Sequence, residues 1–397
     1  MEYKINLKRA QEILMPFSAP RNRENVKLGE AYNRVLSKDI IARENFPSFD
    51  MALTDGYAVI ASDTLNAGLD TPVTLKTLED IPAGKVPTET LTHGFASKIH
   101  AGAMIPNGAD AVVRYAETQF TFDSVTLLSE VSVGENISKT GSQIVAGTVL
   151  AERGIRVTPA VAAKLAGQGI TEVEVYLKPR IGIISTGSEL VAFDNTPEQG
   201  KKRDSNRFAI EAALKDLGCD TFFLGLDFED NTQAILDLIN SGRGLDAMIS
   251  TGGTGAGDRD YMTSAFDAMG AFTLTWGGDF APCGSFAFAT IGITPLIALP
   301  GDIDNALILL YAVISPALRK LSGLNEYGHK PIRVKLAEDY ERSGEATLLL
   351  PGKIEIVSGE ALIRVQPDDY DVIAVIEPGT ESLLKKGSAL TAFPVRQ

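Results

Sequence analysis

Four glycines crowd the segment Thr251-Gly252-Gly253-Thr254-Gly255-Ala256-Gly257-Asp258, directly after the apolar run Ala247-Met248-Ile249. Between a strand and a helix, such a loop turns successive backbone amides toward an anion, while Ser250, Thr251 and Thr254 offer hydroxyl donors. It is neither of the two commonest phosphate loops. A P-loop needs Lys-Ser/Thr after its last glycine, where Asp258-Arg259 stands, and Asp258 also occupies the third glycine position of G-x-G-x-x-G. Three further loops follow strand-like runs: Thr186-Gly187-Ser188-Glu189, Asp227 to Asp230, and Pro300-Gly301-Asp302. Glu189 and Asp260 are hard oxygen donors of the kind that hold Mg²⁺ against a phosphate. Each also reads as an ordinary acid at a helix N-terminus, and a glycine turn without any ligand remains the plain alternative for the loop.

Other chemistries find little support. The histidines, His93, His100 and His329, are isolated, and neither Cys219 nor Cys283 has a metal-ligand neighbour. No G-x-S-x-G elbow appears. Asp55-Gly56 next to Tyr57 reads as a turn on its own terms.

The elements that must position these loops alternate strand and helix. Ile181 to Ser185, Phe222 to Leu226, Ala247 to Ile249 and Leu296 to Leu299 read as buried strands. Helices are expected over Phe208 to Leu217 behind the cap Asp204-Ser205-Asn206, over Asn231 to Asn240, over Tyr261 to Met269, and over Ala306 to Leu321. That alternation means a doubly wound, mostly parallel sheet covered on both faces, with ligands at the carboxyl ends of its strands.

Before it, Asn6 caps a short amphipathic helix, and the stretch to about Ile41 reads as a helical, partly exposed arm; Thr158-Pro159 opens another helix to Ala166. Phe46 to about Leu150 alternates in short runs punctuated by Gly and Pro, a mostly-β unit, and Pro331 to Gln397 holds only strand-like runs. The expected architecture is therefore a multidomain α/β chain. It comprises an arm domain (1–45 with 141–178), a mostly-β insertion domain (46–140), the α/β sheet domain (179–326) and a C-terminal β-barrel (327–397).

Composition bounds the partners. Lysine plus arginine total 37 against 51 acids, a net charge of −14, which repels nucleic acid. The basic groups, such as Lys201-Lys202-Arg203, are short. Two cysteines and no long apolar run point to a cytoplasmic protein with no membrane span.

Together these segments resemble the molybdopterin molybdenumtransferase family, the MoeA-type enzymes and the E domain of gephyrin. Pro47-Ser48-Phe49-Asp50 through Asp55-Gly56-Tyr57-Ala58-Val59 is similar to the family's N-terminal signature. Ser185-Thr186-Gly187-Ser188-Glu189-Leu190 is similar to S-T-G-D-E-L, and Asp204-Ser205-Asn206-Arg207 to D-[ST]-N-R. Ser250 to Tyr261 is similar to S-G-G-x-S-x-G-x-x-D-Y, and Leu299-Pro300-Gly301 to the start of L-P-G-N-P.

The resemblance implies insertion of molybdate into adenylylated molybdopterin, with release of AMP and use of Mg²⁺. It also implies a homodimer with the site between the sheet domain of one subunit and the mostly-β domain of the other. By motif it carries Asp55, Glu189 and Asp260 over as catalytic acids, and Glu189, Asp230 and Asp260 as metal ligands. The anionic pterin would be bound by Thr186, Gly187, Asp204, Ser250, Gly252, Gly253, Thr254, Gly257, Pro300 and Gly301.

Three departures stand beside it. The family's W-K-x-x-x-K-P-G-K-P reads Trp-Gly-Gly-Asp-Phe-Ala-Pro-Cys-Gly-Ser over residues 276 to 285; Ala101 replaces a threonine ahead of Gly102-Ala103; and L-P-G-N-P becomes Leu-Pro-Gly-Asp-Ile. Each lost hydrogen bond to a charged group would cost about 1.5–3 kcal/mol if uncompensated. The alternative to an enzyme is a non-catalytic cofactor-binding relative acting as carrier, maturation factor or scaffold.

Overall fold

The computed structural model describes residues 1–227, 231–254 and 261–395. The chain divides into two compact units, one from Met1–Lys38, Arg153–Ala162 and Glu172–Gln397, the other from Asp39–Glu152 and Ala163–Thr171.

The first unit contains a seven-stranded sheet in the order Glu2–Ile5, Phe272–Gly278, Ala287–Ile291, Thr294–Leu299, Ala247–Thr251, Arg180–Thr186, Asp220–Asp227. The last four run parallel, and their register aligns Ser185 with Thr251 and Thr251 with Leu299, so three strands end together. Alternation along the strands separates two cores. Ile181, Ile183 and Ile249 face Ile210 and Leu214 of the Asn206–Asp216 helix and the helical run from Ile303, while Ile184 and Met248 face Ile235, Ile239 and Phe266. This is the doubly wound sheet expected from the apolar runs.

The expected helical arm differs. Only Leu7–Ile13 is α-helical, with Asn6 Oδ1 accepting from the Arg9 amide at 2.8 Å. Glu2–Ile5 joins the sheet edge parallel to Phe272–Gly278, and Ile5, Ala10, Ile13 and Leu14 pack into its core. Arg23–Lys27, within the stretch expected to be helical, is a strand antiparallel to Glu172–Tyr176. Its polar sequence acquires strand form from a partner about 150 residues away, a contact local periodicity does not register.

C-terminally, Thr347–Val357, Glu360–Val365, Ile332–Leu336, Ala389–Pro394 and Val372–Ile376 close into a five-stranded barrel, because Thr347–Val357 pairs with both Glu360–Val365 and Val372–Ile376. Phe280–Ala281 adds parallel to Thr347–Leu348 and ties the sheet's hairpin to the barrel.

One titratable group is built into this junction. His329 stacks on Phe393, donates Nε2–H to the Ala312 carbonyl at 2.9 Å, and presents Nδ1 to Arg319 Nη2 at 3.2 Å. Burial pulls its imidazole down to about 4, with the Arg319 charge acting the same way and the Ala312 hydrogen bond opposing. The folded protein therefore keeps His329 neutral where the unfolded chain, near the usual histidine value of about 6.5, takes up a proton. Stability is fully present above about pH 6.5 and falls by up to roughly 3 kcal/mol as the pH drops toward 4. Urea unfolding across that range should show the slope, and His329→Gln should flatten it.

The second unit carries a six-stranded sheet in the order Ala111–Arg114, Gly56–Val59, Phe95–Ile99, Val73–Ile81, Ser124–Leu127, Thr118–Phe120. Gly56 is more than a turn residue. A Cβ there would lie 1.9 Å from the Val113 carbonyl oxygen, so the absence of a side chain lets its strand lie against Ala111–Arg114.

Candidate functional site

Where the parallel strands end, a cavity of about 210 Å³ opens in the first unit. Its walls include Thr186, Glu189, Thr251, Gly252 and Gly301, together with Lys202 and Arg203. The strand ends supply the floor. Thr186 Oγ1 donates to the Thr251 carbonyl at 3.2 Å, and the Gly252 amide donates to the Leu299 carbonyl at 3.2 Å. Gly252 has φ +92°, and a Cβ there would meet the Thr186 carbonyl oxygen at 2.3 Å. Glycine at 252 is thus demanded by close approach of two strand ends, and its amide is spent within the fold rather than left for an anion.

The cationic lip is a two-residue strand. Lys202–Arg203 pairs parallel with Leu190–Val191, and the Lys202 amide donates to the Glu189 carbonyl at 2.8 Å. Lys202 Nζ stands 3.3 Å from Glu189 Oε1, with both side chains largely exposed. Lys201 Nζ donates to the Ser188 carbonyl. Arg203 is exposed and forms no ion pair among the described residues. The helix behind the lip is fixed by Asp204, whose Oδ1 accepts from the Arg207 amide at 3.3 Å, and by Asn206, whose Nδ2 donates to the Gly301 carbonyl at 2.9 Å. Asp302 caps the Ile303–Leu309 helix through the Asn305 amide at 3.0 Å. Partial burial, together with the charges of Asp302 and Asp368, raises the Asp304 carboxyl above its ordinary value.

The residues singled out from sequence separate into groups. Thr186, Glu189, Gly252 and Gly301 share the cavity wall. Gly187 and Pro300 flank it in sequence. Asp204 is buried and turned to its own helix. Gly253, with φ +69°, lies beside Met262. Thr254 is buried, its Oγ1 within 3.4 Å of the Leu299 and Ser285 carbonyls, while Ser285 Oγ donates to the Thr254 carbonyl at 2.6 Å. Ser250 Oγ is buried without a hydrogen-bond partner among the described residues, as is Ser185 Oγ on the neighbouring strand. Asp55 belongs to the second unit. Asp230, Gly257 and Asp260 lie outside the described residues.

Several wall residues lie outside the sequence-derived site, Leu190, Ser205, Asn206, Thr251, Asp302 and Ile303 among them, and so do the cations Lys202 and Arg203. The available signal for the two cations was their place directly ahead of Asp204-Ser205-Asn206. Among the described residues no three His, Cys, Asp or Glu side chains converge as a metal cluster, and no helix is long and apolar enough to cross a membrane. Burial pushes the Cys219 thiol up to about 12 and the Cys283 thiol higher still, so neither supplies a thiolate.

Residues 182–320 match the family described as "Probable molybdopterin binding domain", and residues 5–169 match "MoeA N-terminal region (domain I and II)". Sheet, barrel and both family matches thus define a multidomain α/β protein of MoeA type. The chain is 32% identical over 342 residues to the molybdopterin molybdenumtransferase of Nostoc sp., spanning 85% of this chain and 78% of the relative. The Haemophilus influenzae molybdopterin molybdenumtransferase is 32% identical over 318 residues, 80% of this chain and 77% of that one. A molybdopterin biosynthesis MoeA protein of known structure from Pyrococcus horikosii superposes with a TM-score of 0.79 at 26% identity, over 99% of this chain and all (100%) of that one. The chain belongs to the molybdopterin molybdenumtransferase family and to molybdenum cofactor biosynthesis.

Proposed function

We propose that this protein inserts molybdate into adenylylated molybdopterin with release of AMP. The observation that carries the reading is the cationic lip: Lys202 and Arg203 line a cavity of the first unit together with Glu189 and the strand ends. A pterin that bears phosphate and adenylate groups, together with molybdate, needs cations and donors held in place. A guanidinium matches a phosphate oxygen pair, and an ammonium serves as a point charge beside it. The Glu189 carboxylate is a hard donor suited to Mg²⁺, which would be held there with Asp230 and Asp260 and would neutralise phosphate charge when bound. Lys202 restrains Glu189 in the meantime, so the carboxylate is oriented without being buried. We further read the working form as a homodimer in which Asp55 is contributed to this cavity by a second copy.

The test is direct. Purified protein given adenylylated molybdopterin, molybdate and Mg²⁺ should release AMP and yield cofactor that activates an apo-molybdoenzyme, and chelation of Mg²⁺ should stop both. Binding of the adenylate without AMP release would replace this reading with that of a carrier. Absence of binding would remove both.

A further inference from the structure

In the second unit, one histidine stands between two carboxylates. His100 Nε2 is 2.9 Å from Asp80 Oδ1, and Nδ1 is 3.7 Å from Asp55 Oδ1. Lys98 Nζ holds the other Asp80 oxygen at 3.3 Å, and the Ala101 amide donates to Asp55 Oδ1 at 2.9 Å. Three strands fix the arrangement. Asp80 lies opposite Lys98 in the parallel pairing of Val73–Ile81 with Phe95–Ile99. The His100 amide donates to the Ile81 carbonyl at 3.2 Å, and Gly56, next to Asp55, pairs with Ile99. The Gly102 amide then closes the turn on the Ala52 carbonyl at 2.8 Å.

Nε2 is within hydrogen-bond distance of Asp80, while Nδ1 lies beside Asp55 at a separation longer than a hydrogen bond, so the ring spans the two carboxylates with Asp80 as its anchor. Partial burial acts against ionisation of Asp80, but hydrogen bonds from His100 and Lys98 prevail and hold its carboxyl below the ordinary range, so the anchor stays charged. Both contacts to Asp55 fall on Oδ1. Its Oδ2 has no hydrogen bond among the described residues, and the side chain is 64% exposed. The result is a carboxylate with one oxygen clamped and the other presented.

We propose that His100 is the positioning residue for Asp55, a bridge from Asp80 that fixes the carboxylate through Oδ1 and leaves Oδ2 to meet the ligand. The proposal rests on the reading of Asp55 as a site residue. Exposed ion pairs contribute little to stability, so the function of such a bridge is to be sought in geometry.

Two measurements test it. The chain has three histidines, so the ring ¹H–¹⁵N signals of His100 are assigned by their loss in His100→Gln. Both Asp80→Asn and Asp55→Asn should shift them. Signals that ignore Asp55→Asn would overturn the bridge, whatever the enzyme does. In the AMP-release assay, His100→Ala should lower kcat roughly tenfold with KM within about twofold, as expected for a misoriented group. Asp80→Asn should do the same, and the double variant should be no worse than His100→Ala, since the two act as one unit. Unchanged kcat in His100→Ala, or losses that multiply, would sink the proposal. Full activity in Asp55→Asn would instead remove the reading of Asp55, while the ring signals still report the bridge.

Discussion

Lysine placed together at positions 277, 281 and 284 is expected to unfold much of the sheet domain without creating an anion site. These are the positions the family pattern W-K-x-x-x-K-P-G-K-P assigns to lysine when laid on residues 276 to 285, and they hold Gly277, Ala281 and Gly284. The hairpin has closed on their small size. A Cβ at Gly284 would stand 2.6 Å from the Phe280 carbonyl oxygen and 2.8 Å from that of Gly278, both backbone atoms that cannot swing aside. The Gly278 amide donates to the Gly284 carbonyl at 2.9 Å, and the Gly277 amide to the Phe286 carbonyl at 2.8 Å. Gly277 has φ +73°, a left-handed conformation that disfavours any side chain. Ala281 packs against the barrel core beside Leu348, where an ammonium would meet apolar surface.

Overpacking of this kind costs about 1–3 kcal/mol per site and left-handed strain about 1–3 more. The triple variant therefore loses several kcal/mol from a total of about 5–15. Urea midpoints should fall steeply for Gly284→Lys alone and further for the triple variant, with phosphate affinity no higher than in the wild type. A stable triple variant that binds phosphate more tightly would show that the hairpin has room for the family's cations.

The hairpin also explains what was legible in the sequence. Parallel strands buried on both faces must be apolar along their length, so Ile181 to Ser185 and Ala247 to Ile249 declare themselves, as do the helices between them. Glu2–Ile5, Phe272–Gly278 and Ala287–Ile291 do not. The first is a polar edge strand whose form comes from its partner, and the others make an antiparallel insertion within a parallel sheet. Gly252 to Thr254 were visible as loop residues, but their tasks were not. Gly252 is needed for a close approach, Thr254 ties two carbonyls, and Ser250 is buried behind the strand end. Likewise Asp55-Gly56 looked like a turn, because nothing in a dipeptide reveals a carbonyl 1.9 Å from an imagined Cβ. The basic run Lys201-Lys202-Arg203 was visible in the sequence, but its place in a wall was not. A two-residue strand has no period, and Lys202–Arg203 becomes part of a wall only through its pairing with Leu190–Val191.

The cationic lip carries the second large expectation. Lys202→Glu combined with Arg203→Glu should weaken adenylylated molybdopterin binding at least about 100-fold. Two hydrogen-bonded cations contribute about 1.5–3 kcal/mol each, and every 1.4 kcal/mol is tenfold in affinity. Reversal adds repulsion to the loss, in a chain already at −14. The two residues should not contribute equally. Lys202 already faces Glu189 at 3.3 Å, so a ligand anion must compete with that carboxylate, whereas Arg203 has no ion-pair partner among the described residues and offers its whole fork.

Arg203→Ala should accordingly cost more affinity than Lys202→Ala, and Arg203→Lys should recover only part, because an ammonium cannot grip two oxygens at once. Salt provides an independent check. Wild-type affinity should fall as ionic strength rises, and the double alanine variant should show a flatter dependence. Thermal stability should barely change in any of these variants, since both side chains are exposed and the Lys202 pair is a surface one. Affinity within threefold of wild type in the double glutamate variant would place the anion elsewhere on the molecule. A loss confined to the reversal variants, absent on truncation to alanine, would mean that the lip steers the ligand's approach without touching it.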